Sequence, residues 1–574
     1  MADSSNVIRR LIGEFRRRRV LESAGLYIAA GWVCIEAAAT LFPVFGFPDW
    51  AIRLLVYGVI ATFPFFMAAA WMFNLTLRGL VRTGATPTEQ LVSPADMPHR
   101  SVAILPFSNQ TGNADNDYFA DGMAEELLNM LAKVADLKVA ARTSSFALRD
   151  RADNVRHIGG LLGVRHVLAG SVRQAGQRIR ITAQLVETVS GYQLWSDTYD
   201  RDVGDVFAVQ DEIAAAIAQS LEVAISDGAP GEREQSALPT QNIDAYQHVL
   251  RANYLWARRG ADAIAGAIGA LEQALQLDPD YAEAHARLAS ARAIMHEYSD
   301  EPREEGFAVA EAHARRAISL DPSLGEPHAV LGYMALRLWH WAEAEQRLQQ
   351  AIQLDPGLPI SYQWYANLLG DFAREDDAMQ QIRAAHRLDP LSPQANNILA
   401  LMALLADDEG LAAKHAGIAR EYGMGGMIPD IVEFMIAVRA GKYKEALPGW
   451  QACQQRISKD AGWVEPVLAA LADASQKAPA LDALSQAQRS GRINGAQLFF
   501  HYLLLGEAEL TFNIASTRLA DHSLTHVWFM LREAAQLRRH PRFHALMETM
   551  GLCAYWNETG YPPKVRHLAP DQAA

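Results

Sequence analysis

The chain has 574 residues, half of them apolar and a fifth charged, with a formal net charge of −14. That length exceeds a single hydrophobic core, and the composition is that of a folded rather than a disordered protein. The acidic balance argues against general nucleic-acid binding, and three scattered cysteines (Cys34, Cys453, Cys553) exclude a disulfide scaffold or a cysteine metal site.

Residues 1–23 form a basic segment with six Arg among the first nineteen positions. Two apolar runs follow: 24–41, broken by Glu36, and 54–75, which is uncharged. Each approaches the roughly 20 residues that cross a bilayer core. The connector FPVFGFPDW is short and rich in Pro and aromatics. Residues 24–75 therefore predict a two-helix transmembrane hairpin. A cleaved signal peptide near Ala37–Ala39 and a buried soluble hairpin are the competing readings, and the second run opposes the signal peptide. Arginines flank both ends of the hairpin, which predicts a bacterial inner-membrane protein with both termini and the soluble domains cytoplasmic.

A polar linker, 76–98, leads to a stretch that reads as a small α/β domain, 99–226. SVAILPF is a buried strand, 118–134 has helical spacing, and LKVAARTSSFAL offers a second strand. A short helix through His157 to Leu162 precedes three alternating strands, VRHVLAGSVRQ, QRIRITAQLVET and YQLWSDTYDR, and a closing helix at 206–221. The predicted order is β-α-β-α-β-β-β-α. Asp115, Asp117 and Asp121 lack the ligand spacing of an EF-hand and read as loop acids and a helix cap. His157 and His166 read as surface residues, and Ser144 and Ser145 have no GxSxG context. Neither GxxxxGK[ST] nor HExxH occurs. The expectation is no enzyme, with no catalytic, cofactor or metal residues. Arg142, Arg149, Arg151 and Arg156 supply the alternative, a nucleotide or small-anion sensor.

The phrases SVAILPFSNQTGNADNDYFADGMAEELLNMLAKV, IGGLLGVRHVLAGSVR and RIRITAQLVETVSGYQLWSDTYDRD closely resemble the TolB-like N-terminal domain of bacterial multidomain proteins. In that family the domain often follows an adenylyl cyclase or a winged-helix domain and precedes TPR repeats. The resemblance implies a regulatory or scaffolding setting rather than a reaction. In TolB itself the related domain is periplasmic, which implies a further alternative, an envelope assembly factor.

A linker at 227–240 precedes the repeats, 241–540. The phrase LDP recurs, ending at Pro279, Pro322, Pro356 and Pro390, the last three 34 residues apart. That period, with small residues at fixed places, marks TPR helix pairs. The small positions are Ala289, Gly332, Ala366 and Ala400 in first helices, and Ala310, Ala344, Ala378, Ala412, Ala317, Ala351, Ala385 and Ala419 in second helices. Each LDP proline reads as a helix stop. The interval between Pro279 and Pro322 is longer, and HEYSDEPREEG predicts an extended helix or loop there. Residues 541–574 read as a C-terminal cap and tail. The expected fold is thus multidomain: an N-terminal transmembrane α-hairpin, a small α/β TolB-N-like domain and a C-terminal all-α TPR solenoid.

In TPR families first-helix side chains line a concave groove. Here the candidates are Glu283, Ser290, Glu326, Tyr333, Arg337, Gln363, Asn367, Asp371, Gln394 and Asn397. The lining has no lysine clamp for an acidic tail. The expected function is a membrane-anchored protein-protein interaction scaffold or regulator, binding protein partners in the groove. The competing readings are repeats that pack on the chain's own middle domain, or that build a homo-oligomer.

Overall fold

A computed structural model describes residues 92–570 with short gaps, the longest at 222–239, and only scattered positions before that. The chain divides into two compact units, Met1–Glu89 and Gln90–Ala574. In the first, isolated described positions such as Trp32, Leu54 and Thr62 are helical. Strand β1 (Phe73–Thr76) pairs antiparallel with β2 (Gly79–Arg82), Phe73 opposite Arg82. Phe73, Asn74 and Leu75 thus lie in a strand where the sequence predicts the end of a spanning helix. Phe73 and Leu75 alternate with polar Asn74 and Thr76, the two-residue period that a strand needs. The rest of the expected hairpin lies largely outside the described residues. Among the described residues no helix is long and apolar enough to cross a membrane.

The second unit opens with a six-stranded sheet. Its strands are β3 (Ser101–Ile104), β4 (Ser108–Asn109), β5 (Lys138–Val139), β6 (His166–Ala175), β7 (Arg178–Glu187) and β8 (Gln193–Asp202). The order is β5-β3-β6-β7-β8, with β4 also on β6; β5, β3 and β6 run parallel, and β6, β7 and β8 form an antiparallel meander. The fully buried run of β3 suits a central parallel strand, and β7 alternates Ile179, Ile181, Ala183 and Leu185 inward. Helices α1 (Asp117–Ala132) and α4 (Val206–Ser220) cover that face. Helix α3 (Val155–Leu162) covers the other face at its parallel end. One expectation is corrected: in LKVAARTSSFAL only Lys138 and Val139 are strand, and Arg142–Phe146 forms helix α2.

From residue 243 onward the chain is helix pairs. Helices α5 (Ile243–Arg258) and α6 (Ala261–Leu277) make the first pair, α7 (Ala282–Met295) and α8 (Arg303–Leu320) the second. Next come α9 (Gly325–Arg337) with α10 (Trp341–Leu354), α11 (Pro359–Asp371) with α12 (Glu375–Leu388), and α13 (Pro393–Leu405) with α14 (Glu409–Tyr422). Further pairs follow as far as Leu519. The predicted small positions are buried, and a Cβ at Gly332 would meet Leu348 Cγ at 2.7 Å. Helices α6, α8, α10 and α12 all stop at the Leu of LDP. The following Asp is extended, with φ between −133° and −139°, because proline disfavours helical backbone in the residue before it. The extra residues of the long interval form the loop after α7 and lengthen α8, which has 18 residues where α10 has 14.

Residues 541–570 do more than cap the last pair. Helix α21 (Pro541–Thr549), helix α22 (Leu552–Thr559) and the turn Pro563–Leu568 reach back to the middle repeats. There Trp341 Nε1 donates to Met550 O, Trp556 Nε1 to Phe372 O, and Lys564 Nζ to Leu405 O. The acceptors Phe372 O and Leu405 O lie at the ends of α11 and α13, where helical carbonyls lack internal partners.

Candidate functional site

None of the ten groove candidates is exposed; each is buried or half-buried. Ser290 Oγ donates to Glu326 Oε1 at 2.6 Å, and Arg287 Nε lies 3.4 Å from Glu326 Oε2. Tyr333 donates to Glu297 at 2.6 Å and stacks on Trp364, with ring centroids 4.8 Å apart. Asp371 accepts through its carbonyl from His526 Nε2 at 3.1 Å, and burial raises the pKa of its carboxyl. Gln363 is buried, and Glu283, Arg337, Asn367, Gln394 and Asn397 are half-buried. Ser290, Glu326, Tyr333 and Asp371 are thus tied into the chain's own polar contacts, whereas Arg337 Nε and Asn397 Oδ1 are buried with no partner among the described residues.

The α/β domain packs on the repeats. Tyr246 and Leu250 of α5 belong to its core, and Gln210 Nε2 donates to Tyr246 Oη at 2.9 Å. A Cβ at Gly122 of α1 would lie 2.5 Å from Leu250 Cδ1, so glycine permits the close crossing of α1 and α5. Glu125 of α1 accepts from Arg142 Nε at 2.7 Å and from Asn253 Nδ2 of α5 at 3.1 Å, linking the two elements through one buried carboxylate.

A second anchor uses the repeated phrase itself. In three LDP turns the Asp side chain accepts from the amide two residues on: Asp278 from Asp280 at 3.1 Å, Asp321 from Ser323 at 2.9 Å and Asp355 from Gly357 at 3.0 Å. In the fourth, Ser144 of α2 takes that place. Asp389 Oδ1 accepts from Ser144 N at 2.9 Å and from Ser144 Oγ at 2.5 Å, while Leu391 N donates to Ser144 Oγ at 2.8 Å. Ala141 N donates to Leu388 O at 3.2 Å, and Leu391 is buried in the core around α3. Sequence reasoning missed Ser144 and Asp389. The signal was the residue after each proline: Asp280, Ser323 and Gly357 are polar or small, whereas Leu391 is apolar.

Burial raises the pKa of Asp389, so its ionised form is held at a cost offset by the Ser144 donors. Asp389→Ala, which strands two buried donors, is expected to destabilise by about 3 kcal/mol. Asp389→Asn keeps an acceptor at Oδ1 and is expected to lose less than half of that. Urea unfolding of the two variants measures the difference.

The arginines are engaged. Besides Arg142, Arg149 contacts Asp121 at 2.5 Å and Arg156 donates to Ser190 O at 2.8 Å; Arg151 lies outside the described residues. Asp117 accepts from Asn109 Nδ2 at 2.8 Å, and Asp115 lies outside the described residues. His166 is buried rather than on the surface: its Nδ1 is 3.0 Å from Ser101 O, and burial lowers its pKa. Its place on β6 between β3 and β7 encloses it. Among the described residues no group of three His, Cys, Asp or Glu could hold a metal ion.

No family model matches the chain. A curated protein of Rhizobium meliloti (strain 1021), described as "Putative adenylate cyclase 3", is 39% identical over 197 residues, 34% of this chain; the match spans only 33% of that relative's length. Among solved structures, Pseudomonas aeruginosa PilF is 18% identical over 37% of this chain and 91% of its own, with a TM-score of 0.29. A thermophilic TPR protein of Thermus thermophilus is 17% identical over 33% of this chain and 95% of its own, with a TM-score of 0.27. PilW, a type IV pilus biogenesis factor, is 19% identical over 38% and 94%, with a TM-score of 0.29.

Proposed function

We propose that the chain is a non-catalytic protein-interaction scaffold or regulator. What supports this is the stack of TPR-type helix pairs with the α/β domain fastened across it by Glu125 and by the Ser144–Asp389 contact. A stack of this kind is a rigid binding surface, because each pair is fixed by its neighbours. The half-buried amides of Asn367, Gln394 and Asn397 supply donors and acceptors suited to the backbone of an extended or helical protein segment. A photo-crosslinking residue at Gln394, with an equivalent at exposed Lys444 as the control, tests the reading in living cells. One defined protein captured from Gln394 and not from Lys444 supports it; adducts only within the chain itself overturn it.

The partial likeness to a protein described as a putative adenylate cyclase favours a second reading, a regulator that senses a nucleotide. Thermal unfolding against a nucleotide panel separates the two, since a ligand bound by the folded state alone raises the midpoint.

A further inference from the structure

Strand β8 ends the sheet, and no described strand pairs with its outer side. It is ten residues long, QLWSDTYDRD, with mostly exposed side chains and neither Pro nor Lys. The one irregularity of its ladder lies between Leu185 and Val186 on β7, opposite its first residues, which leaves the pairing regular from Trp195 to Asp202. Leu194 is 48% exposed and Tyr192, just before the strand, 76%. Long regular edges are templates for another strand, and proteins that avoid such pairing blunt them with Pro, bulges or charged side chains, so the placement of the four charges on β8 decides what it can pair with.

We propose that β8 is a self-association edge, at which two copies of this chain join antiparallel about a two-fold axis through Tyr199. This goes beyond the scaffold reading and does not depend on it. Across such an axis, opposed residues share a sheet face, so only registers centred on a single residue are allowed. A centre at Asp197 or at Asp200 opposes a carboxylate to its own copy. A centre at Thr198 opposes no two charges. A centre at Tyr199 sets Asp197 opposite Arg201 of the other copy, twice, with Thr198 opposite Asp200 and Ser196 opposite Asp202. Opposite charges directly across a ladder stabilise and like charges destabilise. The strand is therefore complementary to itself in one register. Asp200 is already neutralised by Arg178 and Arg180, each 2.6 Å away, so its place beside Thr198 leaves no uncompensated charge.

The test is a charge swap read by sedimentation of the full chain, held in mild detergent because of its apolar N-terminal runs. The wild-type chain is expected to sediment as a dimer. Asp197→Arg opposes two arginines and Arg201→Asp opposes two aspartates, and each is expected to weaken self-association about tenfold or more. The double swap, Asp197→Arg with Arg201→Asp, restores the pair in reversed sense and is expected to recover the dimer. Thermal unfolding of each variant shows whether it folds, which matters for Arg201 because it also faces Glu212 at 3.5 Å. A wild-type monomer overturns the proposal, as does a dimer indifferent to Asp197→Arg or a folded double swap that stays monomeric.

Discussion

Trp556→Ala is expected to cost about 4 kcal/mol, within the range measured for truncating a buried tryptophan, and to free the C-terminal segment from the repeats. Trp556 is fully buried, and its Nε1 donates to Phe372 O at 3.2 Å, closing the carbonyl end of α11. Its neighbour Tyr555 stacks on the Phe372 ring with centroids 3.9 Å apart and donates to Glu345 Oε2 at 2.6 Å. Arg374 donates to the other oxygen of Glu345 at 3.0 Å, so one carboxylate joins α10, the start of α12 and α22. Truncation leaves a cavity the size of an indole, and an unfilled cavity adds to the lost transfer energy. Trp556→Phe keeps a six-membered ring but loses the rest of the indole with its N–H donor, for a smaller expected cost of about 2 kcal/mol. Urea unfolding gives the stabilities, and limited proteolysis between residues 541 and 570 reports detachment. A loss below about 1 kcal/mol for Trp556→Ala would show that the segment is not held by this residue.

How far the sequence carried the reading differs between levels. The repeat period, the buried alanines and the antiparallel meander were legible, because each follows from local rules: small residues at close helix crossings, extended backbone before proline, alternation along a half-buried strand. What joins those elements was not legible. Ser144 carries no motif, and Asp389 stands in the same phrase as Asp278, Asp321 and Asp355, yet its carboxylate serves another part of the chain. The same holds for LKVAARTSSFAL, whose residues permit either strand or helix. There β5 is a two-residue edge pairing that ends at Val139, and Ala141 already bonds to the carbonyl of Leu388. Long-range partners decided both cases. The groove candidates share this fate: position within a repeat nominates them, but does not reveal that Glu326, Tyr333 and Asp371 are engaged by residues of the same chain.

As the pH drops below 6.5, protonation of buried histidines is expected to withdraw stability, with His501 and His415 among the most strongly shifted. Burial pushes His501 down to about 4 and His415 down to about 3. Each ring is fixed in a neutral form. His501 Nδ1 donates to Gln497 O at 2.6 Å while Nε2 accepts from Trp450 Nε1 at 3.1 Å. Asn396 spends its Nδ2 on Pro390 O and Ser392 O, so its Oδ1 accepts from His415 Nδ1 at 2.7 Å. A second proton on His501 would displace the Trp450 donor; on His415 it would meet the nearby positive charges of Lys414 and Arg383. A histidine whose folded pKa lies below its unfolded value of 6.5 contributes stability that is present above 6.5 and lost as the pH falls toward the folded value. The loss is about 1.4 kcal/mol per pH unit for each residue. Asp371 and Asp389 work the other way, since burial raises their pKa and the folded state takes up their protons more readily. The total curve therefore mixes both signs, and a difference between variants isolates one site. Gln at position 501 can accept from Trp450 and donate to Gln497 without titrating. Between pH 6.5 and 5, His501→Gln is expected to gain on the wild type by about 2 kcal/mol. Parallel stability curves for the two proteins over that range would show that the His501 ring takes up its proton in place, with Trp450 turning aside at no cost.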